Sequence, residues 1–227
     1  MSKAIHVPKW EPEFKRGKHV SALVIASRNS GKSYLTRYLL LCKLRDKYDL
    51  FVIFCSNVEE REKYLDIIPT ELAYGEYKPH LIQTLFDRNE QRAQLGKPKL
   101  NVLVLFDDEV SAKIKNDDQI LQTYTRGRHN GISCLFISQS HTLAAPTWRN
   151  NSDIVIIGRQ NSAQARKAIM DNILSGSVDT PDGVSEKKLW QQIMRSHATA
   201  NGDVLVVDYR CNDSDMLFRF RAPPGLE

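Results

Sequence analysis

The chain has 227 residues, 41% of them hydrophobic and 26% charged, and its 32 Lys and Arg against 27 Asp and Glu leave a net charge of +5. That supports one full-sized domain with its own core, and the mild basic lean does not by itself mark a nucleic-acid binder. Apolar runs stop at about five residues, as in Val102 to Phe106, and the opening MSKAIHVPKWEPEF has no signal-peptide core, which argues against a membrane span and against secretion and for an intracellular protein.

Residues 1–18 are rich in charge and proline and lack a period, so they read as an arm preceding a domain at 19–221. Residues 222–227 read as a tail, with Leu226-Glu227 compatible with a cloning remnant. Within the domain, β-branched apolar runs predict strands at His19 to Ala26, Tyr48 to Cys55, Asn101 to Asp107, Ile132 to Ser138, Asp153 to Ile157, Asp203 to Asp208 and Asp215 to Arg221. Helical spacing predicts helices at Lys32 to Lys47, Lys78 to Leu95, Gln119 to Arg126, Ala163 to Asn172 and Ser185 to His197, with Leu35, Leu39 and Cys42 on one face of the first. Alternating strands and helices predict an α/β fold with a mostly parallel central sheet, and the last two strands are expected at its edge. Cys42, Cys55, Cys134 and Cys211 are widely spaced without a Cys-x-x-Cys pair, so buried reduced thiols are expected.

SALVIASRNSGKSYLTRYLL runs from an apolar strand through small residues into an amphipathic helix. This is the setting of a phosphate-binding loop, here Ser27-Arg28-Asn29-Ser30-Gly31-Lys32-Ser33-Tyr34. Its backbone N–H groups and the helix N-terminus suit the phosphates of ATP, Lys32 the β- and γ-phosphates, and Ser33 a magnesium ion. The full pattern has glycine where Ala26 stands, and alanine tolerates positive φ poorly, so an altered start to the loop is expected. The alternative is an ordinary strand-to-helix turn with a surface lysine.

Val102 to Phe106 is followed by Asp107-Asp108-Glu109, three carboxylates that are costly to cluster without cations or a shared proton. Asp107 is assigned to the metal and Asp108 to the attacking water, with Glu109 as the alternative base. Gln139, after the strand at 132–138, falls at the same edge of a parallel sheet if the strand ends align, where it can sense the γ-phosphate. Thr125-Arg126-Gly127-Arg128 supplies two guanidinium groups suited to phosphoryl charge, or alternatively to capping a helix C-terminus.

The ordered set ASRNSGKS, VLVLFDDE, TRGRHNGIS and LFISQS, with Trp148-Arg149-Asn150 and the late VLVVDYR, resembles the viral genome-packaging ATPases of the poxvirus-like and giant-virus-like branch of the FtsK–HerA P-loop superfamily. The resemblance covers residues 19–221. It implies a RecA-like core, hydrolysis of ATP with Mg2+, a homo-oligomeric ring such as a pentamer or hexamer, and translocation of double-stranded DNA at a capsid vertex or portal. It also implies that Arg126 or Arg128 is a finger offered to a neighbouring subunit's nucleotide. Asp108 stands where many relatives carry glutamate. The loop from Ser111 to Asp118, with Lys113 and Lys115, is a candidate DNA contact, the alternative being a solvated loop balanced by Asp117 and Asp118. Lys187-Lys188 reads as a solvated helix face. Rival functions are another translocase of the same superfamily, a small P-loop kinase or nucleotide switch, and a structural protein with a decayed nucleotide site.

Overall fold

The computed structural model describes residues 6–107, 114, 117–139, 145–175, 185–198, 200–211 and 216–225. In chain order they form β1 (Ser21–Ile25), α1 (Lys32–Tyr38), β2 (Leu50–Cys55), α2 (Val58–Glu62), β3 (Ala73–Tyr74), α3 (Pro79–Gln94), β4 (Val102–Asp107), α4 (Asp118–Asn130), β5 (Ile132–Ser138), α5 (Pro146–Asn150), β6 (Ile154–Gly158), α6 (Ala163–Ile169), α7 (Glu186–His197), β7 (Asp203–Asp208) and β8 (Leu217–Arg221). The strands make one sheet in the order β3-β2-β4-β5-β1-β6-β7-β8. From β3 to β6 neighbouring strands are parallel, and β7 runs antiparallel to both β6 and β8.

The central strands are apolar on both faces because both faces are covered by helices. Leu23, Ile25, Val104 and Phe106 point into a layer with Ile82 and Phe86 of α3, Ile120 and Tyr124 of α4 and Trp148 of α5. Their neighbours Ala22, Val24, Leu103 and Leu105 point the other way, against Leu35, Leu39, Leu40 and Leu44. Period-two alternation thus feeds two cores from one strand.

Several expectations change. The strand Asp203–Asp208 is not at the edge: pairing on both sides buries all but its first residue, and β8 is the outer strand. Part of the segment expected as an outlying arm packs along β8, with Val7 and Trp10 buried and Trp10 N–H bonded to the Arg219 carbonyl. The first helix widens to i→i+5 winding at Leu39–Leu44, which buries Leu39, Leu40 and Leu44 and leaves Cys42 exposed. Of the expected buried thiols only Cys55 and Cys134 are buried, Cys42 being exposed and Cys211 intermediate. β3 and α2 went unpredicted because two and five residues are too short to show a period.

Candidate functional site

Parallel register brings the carboxyl ends of β4, β5 and β1 to one edge of the sheet, the usual place for a ligand in an open α/β fold. Ile25 pairs with Ser138, and Asp107 with Ile137, so the loop after β1, Gln139 and Asp107 meet at that edge. The loop is anchored on its neighbours: Ala26 N–H donates to the Ser138 carbonyl at 3.1 Å, and Ser27 N–H to the Arg159 carbonyl at 3.0 Å. Ala26 itself does not take a positive φ. Among the described residues the only non-glycine with positive φ is Asn29, at 54°, a residue type that tolerates it. Room for the Ala26 methyl comes from Gly158 at the end of β6, where an added Cβ would lie 2.6 Å from the Ala26 Cβ.

Gly31 sits at the N-cap of α1 with φ 87°. A Cβ there would lie 3.0 Å from the Gly202 nitrogen, and Gly202 N–H donates to the Ser30 carbonyl at 2.9 Å. Glycine is therefore required twice, by dihedral angle and by close approach. Gly31→Ala is expected to cost about 1–3 kcal/mol of stability, measurable by denaturant unfolding, and an unchanged midpoint would contradict this account.

Lys32 Nζ donates to the Ser27 carbonyl at 3.2 Å, across the mouth of the loop. The Ser30 hydroxyl is buried and has no hydrogen-bond partner among the described residues. A lysine, an orphaned hydroxyl and a helix N-terminus form a cradle chemically suited to phosphate. Asp107 is buried, 3% exposed, and accepts a hydrogen bond from the Tyr64 hydroxyl at 2.6 Å. Burial, then the Asp107 charge, pushes the Tyr64 hydroxyl well above its ordinary pKa, so it stays a donor.

Tyr64 was not foreseen, and neither was Glu60 on α2. Glu60 has the Ser33 hydroxyl and the Lys32 charge as neighbours. Burial pushes its carboxyl up, but Lys63, with Nζ 2.6 Å from Oε1, the Ser33 hydroxyl and the Lys32 charge together hold it below the usual carboxylate range. A readable signal existed: Asn57 followed three residues later by Glu60 is a helix-start pattern, and Asn57 Oδ1 accepts from Glu60 N–H at 3.1 Å.

Magnesium fits this donor set. No group of three or more His, Cys, Asp or Glu able to hold a metal occurs among the described residues. A hydroxyl and an aspartate at a phosphate cradle match an ion that takes most of its ligands from phosphates and water. Ser33 and Asp107 are the residues that would hold it.

Asp108, Glu109, Lys113 and Lys115 lie outside the described residues. Arg126 and Arg128 are exposed in the last turns of α4, which extends to Asn130 rather than ending at Arg126, and Gly131 closes it at φ 69°. They lie at the amino-terminal edge of the sheet, beside the start of β5, so seven residues of strand put them roughly 20 Å from their own phosphate loop. Neither can reach a nucleotide bound in its own chain. Arg128 lines a polar cavity of about 600 Å³ there with His19, Arg149 and Asp153. Burial lowers the His19 pKa, only partly offset by Asp153 and the Ile132 carbonyl, and Nδ1 sits 2.7 Å from that carbonyl.

At the carboxyl edge, beyond β6, Arg159, Arg166, Lys167, Lys187 and Arg195 surround a cavity of about 770 Å³ floored by Met170 and Met194. Lys187 and Lys188 are both exposed on α7, as a solvated helix face should be, and Lys187 also lines this cavity. No helix among the described residues is long and apolar enough to cross a membrane.

No protein-family model matches the chain. It is 26% identical over 205 residues to uncharacterized protein 015R of Frog virus 3, covering 88% of this chain and 61% of that protein. It is 27% identical over 151 residues to uncharacterized protein 075L of Invertebrate iridescent virus 6, covering 66% and 58%. The chain therefore spans about three-fifths of the length of these viral relatives. Among solved structures it is similar to B204, the DNA-packaging ATPase of Sulfolobus turreted icosahedral virus, with TM-score 0.63, 14% identity, and coverage of 93% of this chain and all of that one. B204 from the second such virus, in complex with AMPPCP, matches with TM-score 0.61 and 14% identity over 92% of this chain and all of that one. EssC ATPases 2 and 3 from Geobacillus thermodenitrificans match with TM-score 0.63 and 13% identity, over 92% of this chain and 40% of that one. The chain has the α/β fold of these ATPases, a mostly parallel eight-stranded sheet flanked by helices.

Proposed function

We propose that this chain is an intracellular ATP-driven DNA translocase that packages double-stranded viral DNA, working as a homo-oligomeric ring at a capsid vertex or portal. The observation that carries the reading is the meeting of the Lys32 loop, Asp107 and Gln139 at one sheet edge, with Arg126 and Arg128 exposed on the other. The B204 packaging ATPases, similar over their whole length, support it.

ATP lies with its phosphates over the backbone from Ser27 to Ser33. Lys32 exchanges the Ser27 carbonyl for phosphate oxygens, which needs only rotation of its side chain. Magnesium, when bound, neutralises charge on the β- and γ-phosphates. Ser33 and Asp107 would hold it, and the Tyr64 hydroxyl fixes the orientation of the Asp107 carboxylate. Asp108, or Glu109, takes a proton from the attacking water, and Gln139 senses the γ-phosphate. Arg126 or Arg128 completes the site of a neighbouring subunit, because distance bars either from its own. Lys113 and Lys115 contact DNA phosphates.

Steady-state ATP hydrolysis is expected to rise several-fold with long duplex DNA at low salt and to lose that stimulation as salt increases, because the contacts are to phosphates. DNA-independent turnover at concentrations that allow assembly would instead point to a kinase or nucleotide switch.

A further inference from the structure

The helix after β2 carries a second acidic group into the same site. α2 is placed by its own ends: Asn57 caps it, Arg61 donates to the Cys55 carbonyl at 2.8 Å, and Tyr64, just beyond it, bonds Asp107. These ties bring Glu60 beside Ser33 and Lys32 and within electrostatic reach of Tyr64. Its two oxygens differ. Oε1 pairs with Lys63 at 2.6 Å on the outer side. Oε2 is buried and makes no hydrogen bond of good geometry among the described residues, although the Ser33 hydroxyl is near enough to favour the charged carboxyl.

A buried carboxylate oxygen left unbonded costs free energy unless something else donates to it. The Ser33 hydroxyl and the Lys32 charge lie beside this carboxyl, and loading the site would turn both towards magnesium and phosphate, so the donor that Oε2 then needs would come from the loaded site. A carboxylate one step out from a metal commonly orients a metal-bound water. We propose that Glu60 is a positioning residue of the metal site, its Oε2 accepting a hydrogen bond from a water on the magnesium ion held by Ser33 and Asp107. This inference rests on the nucleotide-site reading above. It adds a carboxylate from α2 to those expected after β4, and it links nucleotide loading to a helix tied at both ends to the sheet.

The test is a fluorescent ATP analogue titrated into the full chain, first with EDTA and then over a range of magnesium concentrations, for wild type, Glu60→Gln and Lys63→Ala. Glu60→Gln is expected to raise the magnesium concentration for half-maximal binding about tenfold. Affinity in EDTA should be unchanged or slightly stronger, since a negative charge near Lys32 has gone. Lys63→Ala removes the Oε1 partner but keeps the carboxylate, so its magnesium dependence should match wild type. The proposal is overturned if Glu60→Gln keeps the wild-type magnesium dependence, or if Lys63→Ala shifts it equally, which would mark the Glu60–Lys63 pair as a support of α2 only. Circular dichroism of each variant establishes that it is folded, and Glu60→Asp supplies a folded replacement should Glu60→Gln fail. Wild type that binds the analogue with no magnesium effect would likewise overturn the proposal, whereas wild type that fails to bind the analogue at all would remove the nucleotide-site reading itself.

Discussion

Lys32→Ala is expected to lower ATP hydrolysis by at least about 100-fold while leaving the fold intact, the scale seen when one preorganised charge is removed from a reacting site. Nζ donates to the Ser27 carbonyl at 3.2 Å, a half-buried tether above the core, so its loss leaves the packing below in place. The same variant tests the ring. Arg126→Ala combined with Arg128→Ala should be inactive alone if, as proposed, one of the two arginines serves a neighbour. Mixed one to one with Lys32→Ala subunits, a random head-to-tail ring should recover roughly a quarter of wild-type activity, because half the sites keep the lysine and half their neighbours keep the arginines. No recovery in any mixture, with assembly intact, would return the arginines to the role of capping the α4 C-terminus.

A second large effect is expected far from the phosphates. Asp208, 3% exposed at the end of β7, accepts from Arg210 at 2.8 and 2.7 Å and from Trp10 Nε1 at 3.0 Å. Arg210 also donates to the Glu13 carbonyl at 3.0 Å and lies 5.2 Å from the Phe14 ring centre. One carboxylate thus ties residues 10–14 to the sheet. Asp208→Ala is expected to cost about 3–5 kcal/mol, because it leaves a half-buried guanidinium and an indole N–H without their acceptor. With a urea slope of about 2–3 kcal/mol/M for such a domain, the unfolding midpoint should fall by more than about 1 M. A fall smaller than about 0.2 M would show that the segment packs without this anchor.

The pH dependence has a definite sign. Burial pushes the Asp208 carboxyl up, but the Arg210 hydrogen bonds and charge, with the Trp10 bond, outweigh it and hold the group below the ordinary range. Its contribution is therefore present above the unfolded value of about 3.9 and is lost as pH falls through the lower folded value. Acid unfolding of wild type should steepen in that window, and Asp208→Ala should lack the step.

Local pattern carried most of the architecture. β5 and β7 match their expected spans residue for residue, because unbroken β-branched runs bounded by turn residues leave little choice of conformation. The strand, turn and helix around Gly31-Lys32-Ser33 were legible from the sequence, as was a departure from the general pattern at Ala26. The general pattern asks for glycine there, whereas this chain moves the left-handed residue to Asn29 and takes the missing space from Gly158, 132 residues further on.

What the chain determined by itself was the set of strands and helices, the double-sided burial of the sheet, and the residue types at its carboxyl edge. All of these follow from spacing, side-chain shape and backbone freedom within a few residues. Strand order, the distance that separates Arg126 and Arg128 from Lys32, the burial of Trp10 on Asp208, and the approach of Glu60 and Tyr64 to Ser33 and Asp107 were decided only by tertiary structure. Each depends on which strands become neighbours. That choice is made by packing two cores at once, through contacts between residues far apart in the chain, and no local period encodes it.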